Sequence, residues 1–221
     1  MRKNYKSPED FPEILPVFPL SGSLLLPRVV IPLNIFEPRY LKMIDDALAH
    51  HKLIGMVQPQ AGRGVHPDGK SILNQTACAG RITSYAETDD GRLLISLTGV
   101  SRFKIVHEID TTTPYRQVAT DFHYYQADLV QNHDMQQENR NRLLGIVREY
   151  LAAHDLNADW DSINASTNEE LVNSLSVISP FGPEEKQALL EAPTLSHRAD
   201  ILIAFGEMVL ARSLGEDTPI Q

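Results

Sequence analysis

The chain has 221 residues, 42% hydrophobic and 22% charged, the composition of a folded globular protein and not of a wholly disordered one. Its 20 basic residues against 29 acidic ones leave a net charge of -9, which argues against coating nucleic acid or anionic lipid by bulk attraction. The imbalance is local: residues 1–125 carry 14 Lys+Arg and 13 Asp+Glu, residues 126–221 carry 6 and 16, so two regions of different construction are expected.

Residues 1–12 read as a flexible N-terminus. No apolar leader follows Met1-Arg2-Lys3, and the most apolar stretch, Leu24 to Phe36, is interrupted by Pro27, Arg28, Pro32 and Asn34, so no membrane span is expected. With Cys78 as the one cysteine, no intramolecular disulfide can form, and a cytoplasmic protein is expected. From residue 13 to 125, short proline-punctuated apolar runs separated by turn signals predict an antiparallel sheet or small barrel. The expected strands are Ile14–Phe18, Val29–Ile35, Leu53–Gln58, Thr76–Tyr85, Arg92–Leu97, Arg102–Ile109 and Tyr115–Tyr124. Asp90-Gly91 marks a hairpin between two of them. One inserted helix is expected, opened by Pro38, carried by Leu41, Ile44, Ala47 and Leu48, and ended by His50-His51-Lys52.

Beyond Asp128 the hydrophobic period changes to that of helices. Leu143, Leu144, Ile146, Val147, Tyr150 and Leu151 form one stripe, and Leu171, Val172, Leu175 and Ile178 another, opened by the capping-box pair Thr167 and Glu170. Pro183–Glu191 and about Ser196–Leu214 complete a predicted four-helix bundle over 126–214, with residues 215–221 as a tail. The fold class is therefore α+β.

Motifs that suggest chemistry fail on context. Gly64 to Ser71 satisfies the phosphate-loop pattern, yet no strand feeds it directly and no helix is expected behind it, so it is read as a hairpin loop. Ser101-Arg102-Phe103-Lys104 matches a serine–lysine motif that needs a helix, but strand alternation sends Ser101 and Lys104 to opposite faces. His50 and His51 diverge around their helix and do not form a ligand pair. Cys78 reads as core. No catalytic residue, no metal site and no cofactor is expected.

The segment from residue 18 to 48 is the distinctive one. Pro16, Pro19, Pro27, Pro32 and Pro38 restrict strand pairing at five points in an apolar region, which predicts kinked edge strands beside apolar pockets, the requirement for capturing extended peptide. Phe18-Pro19-Leu20, Pro32-Leu33-Asn34-Ile35-Phe36-Glu37-Pro38-Arg39-Tyr40, Gly91-Arg92-Leu93, Gly99 and Arg102-Phe103 resemble the N-terminal, substrate-binding domain of the ATP-dependent Lon proteases in its stand-alone bacterial form. Glu185 to Glu191 and Arg198 resemble the closing helices of that domain, so the resemblance runs over about residues 13 to 213.

The resemblance implies a PUA-like barrel followed by a helical bundle, and a non-catalytic module that recognises unfolded or tagged proteins, with a separate protease or chaperone as a further partner. The length leaves no room for an ATPase module or a serine–lysine peptidase domain, so neither activity is expected. Leu20, Phe36 and Tyr40 are the candidate apolar contacts, and Glu37, Arg39 and Arg102 the candidate orienting groups, for a bound peptide. The competing reading is core packing for Phe36 and Tyr40 and an intradomain ion pair for Glu37 and Arg39. An RNA-binding PUA-like domain is the alternative function, with Arg81, Tyr85, Arg92 and Arg102 on one face.

Overall fold

The computed structural model describes residues 5–60, 62, 64, 69–131 and 135–216, with side chains through 211. Its strands are β1 (Ile14–Pro19), β2 (Val30–Ile35), β3 (Leu53–Val57), β4 (Thr76–Glu87), β5 (Leu93–Ile109) and β6 (Arg116–Asp121). They form one sheet in the order β2-β5-β4-β3-β1-β6, and β5 also pairs with β6. The pairings of β1, β3, β4, β5 and β6 thus run in a closed circuit, with β2 attached outside it. Burial alternates along β2 and much of β5, whereas β3 is buried at every position.

The sheet is mixed and not purely antiparallel as expected, because β1 and β3 run parallel. Parallel neighbours need a long crossover. Here it is the whole distinctive segment: β2 and then α1 (Pro38–Ala49) lie between them. Strands expected separately at Arg92–Leu97 and Arg102–Ile109 are one strand, β5, whose first part pairs with β2 and whose last part pairs with β6. Gly99 stays extended within it and does not turn. A Cβ there would sit 2.0 Å from the Leu26 carbonyl oxygen, so glycine lets the lead-in to β2 lie directly on β5. The Asp90-Gly91 hairpin forms as expected, with Gly91 at φ +78°.

Pro16 and Pro19 lie in β1, a strand with neighbours on both sides, against the expectation that these prolines mark edge strands. Each escapes one ladder. Pairing with β3 begins at Val17, after Pro16, and pairing with β6 ends at Val17, before Pro19. A residue without an N–H is tolerated where one flank is open. Pro32 does occupy an outer strand, β2, opposite Ser96.

The core between the strands contains Leu15, Val17, Leu53, Val57, Ala77, Ala79, Phe103 and Val118, and it includes Tyr5, Phe11 and Phe122. Tyr5 stacks on Phe11 at 4.5 Å and Phe11 on Phe122 at 3.9 Å between ring centroids. Residues 5–12, expected to be flexible, are therefore docked, because two buried aromatic rings outweigh the ordering of a short polar segment. The last predicted strand ends early as well: β6 stops at Asp121, and His123–Leu129 forms a 3₁₀ segment that carries buried Tyr125 and Asp128.

The remaining helices are α2 (Gln137–Ala153), α3 (Trp160–Ala165), α4 (Asn168–Ile178), α5 (Pro183–Glu191) and α6 (Leu195–Glu216). The chain divides into two compact units, residues 1–131 with 181–190, and residues 132–180 with 191–221. Nearly all of α5 thus belongs with the sheet and not with the other helices as expected. Its polar side chains explain this: Gln58 Nε2 donates to Gln187 Oε1 at 3.2 Å, and Gln187 Nε2 donates to the Thr76 carbonyl at 3.4 Å. In the second unit α6 packs on α2 and α4. The Thr167–Glu170 capping box forms there, and the Arg140 guanidinium donates to the carbonyls of Ile163, Asn164 and Ser166, closing the C-terminal end of α3.

Gly99→Ala should lower stability by about 1–3 kcal/mol, because the new methyl group meets backbone and not a movable side chain. Urea denaturation compared with the wild type measures the loss, and an unchanged midpoint would contradict the close approach.

Candidate functional site

Within the crossover between β1 and β3 the chain leaves β2 at Ile35, Glu37 takes the N-cap position of α1, and Pro38 starts that helix with a φ already suited to it. Tyr40, buried at the third helical position, packs edge-on against Phe18 with ring centroids 4.5 Å apart. Arg39 lies over the Tyr40 ring at 4.6 Å, and its Nε and Nη2 both donate to Glu37 Oε2, at 2.8 and 2.7 Å. The Glu37–Arg39 ion pair is thus real. It is largely exposed, so it holds the guanidinium loosely.

Arg39 and Tyr40 form one wall of a cleft of about 910 Å³. Pro19 and Pro59 lie at the ends of β1 and β3, Gly69 to Ser71 come from the β3–β4 connection, and Glu108 to Arg116 come from the end of β5 and the turn into β6. Arg116 braces these connections. It forms a two-pronged ion pair with Glu108, and its Nη1 donates to the Ser71 carbonyl at 2.9 Å. Residues 65–68 of the phosphate-loop match lie outside the described residues. Its flanks are visible: β3 ends at Val57, and the chain passes from Ser71 into β4 with no helix.

Tyr115 joins the cleft to α1. Its hydroxyl donates to Asp46 Oδ2 at 2.7 Å, while Lys42 Nζ donates to Asp46 Oδ1 at 2.6 Å. These two donors, Lys42 foremost, hold the Asp46 carboxyl below the usual carboxylate range. Burial, followed by the hydrogen bond to Asp46, pushes the Tyr115 hydroxyl up to about 12. Burial also raises the Tyr40 hydroxyl, against the lowering fields of Arg39 and Arg116.

The expected site residues do not all meet. Arg39 and Tyr40 share the cleft. Leu20 is half-buried beside Pro19 and donates its backbone N–H to the Val57 carbonyl at 2.9 Å. Phe36 is 60% exposed, with the Arg92 guanidinium 5.8 Å from its ring centroid, so the core-packing reading holds for Tyr40 and fails for Phe36. Arg102 is elsewhere. It is 4% exposed, its Nε and Nη2 donate to the two carboxylate oxygens of Asp128 at 2.9 and 2.8 Å, and its Nη1 donates to the Leu190 carbonyl at 2.9 Å. A guanidinium so enclosed is a structural strut and does not orient an external peptide. It does not join Arg81, Tyr85 and Arg92 on an RNA-facing surface either. Asp110, Tyr115 and Arg116 had no motif to announce them, and Lys70 stood out only within the phosphate-loop match that reads as a hairpin loop. Cys78 is buried in β4, and among the described residues no group of three His, Cys, Asp or Glu could hold a metal. No helix among them is long and apolar enough to cross a membrane.

The model of the ATP-dependent protease La (LON) substrate-binding domain matches residues 14–205. The chain belongs to this family. Curated relatives of this LON domain include Lon protease 2 of Myxococcus xanthus, 26% identical over 207 residues that make up 88% of this chain and 24% of that protein. A Lon protease of Flavobacterium johnsoniae is 33% identical over 107 residues, 48% of this chain and 13% of that protein. The LON domain thus spans a quarter or less of these relatives' length. Among solved structures, a Lon N-terminal domain protein from Xanthomonas campestris superposes with a TM-score of 0.62 at 19% identity, over 87% of this chain and 98% of that one. The N-terminal domain of a Mycobacterium avium complex Lon protease gives 0.63 at 17% identity, over 88% and 98%. These structures share its fold.

Two measurements check the geometry. Asp128→Ala should cost about 3–5 kcal/mol in urea denaturation, because it strands the Arg102 charge in the interior, and a loss under about 1 kcal/mol would contradict the strut. Ultraviolet difference titration should show one tyrosine ionising near pH 12, absent in Tyr115→Phe and shifted downward in Asp46→Asn. Since the folded value lies above the unfolded one, the stabilisation is present below about pH 10 and is lost as pH rises through about 12.

Proposed function

We propose that this LON domain recognises protein substrates and performs no chemistry on them. Unfolded or tagged polypeptides are its ligands, delivered to a separate protease or chaperone, and it acts in the cytoplasm, a location that the reduced, buried Cys78 supports. The closed circuit of strand pairings supports reading the sheet as a PUA-like β-barrel, with the second unit as its helical bundle. One observation carries the binding site. The segment with the strongest family resemblance delivers Arg39 and Tyr40 to a cleft of about 910 Å³, a size in the usual range of ligand pockets. Exposed Phe36 comes from the same segment, and outer β2 precedes it. Together they offer apolar contact, a cation and an open strand edge. Leu20 and Glu37 support these contacts from behind, Leu20 through its bond to β3 and Glu37 through Arg39.

Titration of labelled, dephosphorylated β-casein, a chain without a fixed fold, tests this. Saturable binding is expected, weakened about tenfold or more by Phe36→Ala combined with Arg39→Ala, with the casein left intact in the presence of ATP. Absence of saturable binding, or casein cleavage, overturns the reading.

A further inference from the structure

We propose that the outer edge of β2 takes up an extended segment of a polypeptide as an added strand of the sheet. The proposal deepens the protein-recognition reading and rests on it.

The backbone carries the first part of the argument. Gly99 of β5 donates its N–H to the Val29 carbonyl at 2.8 Å, so by the alternation of an antiparallel ladder Ile31, Leu33 and Ile35 turn their polar backbone groups toward β5. Val30, Pro32 and Asn34 turn theirs away. In the sheet β2 has β5 as its one neighbour. Among the described residues, the N–H groups of Val30 and Asn34 and the carbonyls of Val30, Pro32 and Asn34 therefore stand open along one edge.

The side chains carry the second. From Val29 to Phe36 the chain has Asn34 as its one polar side chain and no charge. Edge strands are commonly shielded from added strands by charged side chains, and this one is not. Both faces are apolar at the edge: Val30 is 56% exposed with exposed Pro32 beside it, and Ile31 and Leu33 on the opposite face are half-buried. On β5, Leu94 lies opposite Asn34, 48% exposed, and widens the first face. An incoming strand sets alternate side chains on the two faces, so the occupant is an uncharged, largely apolar run in extended form.

Pro32 decides between a foreign segment and a second copy. Two β2 strands paired antiparallel along their full length would set Pro32 against Pro32, and neither can donate. A net charge of -9 on each copy opposes that pairing further. A polypeptide with an N–H at that point donates to the Pro32 carbonyl. The edge is also continuous with the side-chain contacts of the site, because β2 runs directly into Phe36 and the N-cap of α1.

Amide hydrogen exchange read by NMR on the full chain, with and without saturating dephosphorylated β-casein, tests the added strand. The Val30 and Asn34 amides, open in the free protein, should exchange about tenfold more slowly or less when casein binds. Asn34→Pro removes an outward N–H without touching the ladder to β5. It should weaken casein binding about fivefold or more, with the Ile31 and Leu33 amides as protected as in the wild type. Casein binding that leaves the Val30 and Asn34 amides of the wild type exchanging as before overturns the added strand and leaves the recognition reading standing, whatever the stability of the variant. Unchanged affinity in an Asn34→Pro protein that keeps its Ile31 and Leu33 protection does the same. If casein does not bind, the recognition reading fails, and the added strand with it. Slowing that grows with the protein's own concentration in the absence of casein means that a second copy takes the edge, and overturns the assignment to a polypeptide.

Discussion

The buried ion pair of Arg102 with Asp128 is the constraint on which the sheet unit depends. Arg102 lies on β5, the strand that pairs with β2, β4 and β6, and its guanidinium holds the 3₁₀ segment through Asp128 and α5 through the Leu190 carbonyl. Arg28, from the turn that leads into β2, donates to the Asp128 carbonyl at 2.8 Å. The Tyr125 ring lies 4.2 Å beneath the Arg102 guanidinium. Four segments distant in sequence thus converge on one charge. In a dry interior such a pair offsets its desolvation only when its hydrogen-bonding capacity is well used. Here both carboxylate oxygens, the Asp128 backbone and three guanidinium nitrogens are engaged. Its contribution is specificity of arrangement: only one placement of α5 and of the 3₁₀ segment completes the set.

With that frame in place, the cleft arises where three connections meet. The crossover supplies Arg39 and Tyr40, the β3–β4 connection supplies Gly69 to Ser71, and the β5–β6 turn supplies the wall that Arg116 ties down. The parallel pairing of β1 with β3 matters for this reason. It forces a long crossover, and the crossover is the part of the chain that can carry binding residues without interrupting a ladder. The prolines serve the same end. Pro16 and Pro19 stop one ladder each, and Pro38 sets the helix that presents Arg39 outward and Tyr40 inward.

Much of this was legible in the chain because it is local. Short apolar runs between turn signals identified the strands, Asp90-Gly91 the hairpin, and Thr167 with Glu170 the start of α4, since each depends on neighbours within a few residues. The departures share one cause. Gly99 falls between two strands expected separately, yet it is an extended position kept bare for the Leu26 carbonyl, a partner supplied from the lead-in to β2. Tyr5 and Phe11 look like a loose terminus until Phe122 provides a ring to stack against. The α5 stripe looks like any amphipathic helix, and only the polar groups of Gln58 and Thr76 draw it to the sheet.

The candidate site divides in the same way. By itself the sequence determined the family, the two-part construction and the segment that carries Leu20, Phe36, Glu37, Arg39 and Tyr40, because these rest on residue order and composition. Only the tertiary structure decided which of them face outward. Arg102 and Arg39 are the same residue type with similar sequence credentials, but one is enclosed with Asp128 and the other stands at the rim of a cleft. Burial is a property of what packs around a residue: Arg102 is enclosed by Asp128 and Leu190 from distant parts of the chain, whereas among the described residues Arg39 has only its near neighbours Glu37 and Tyr40 against it.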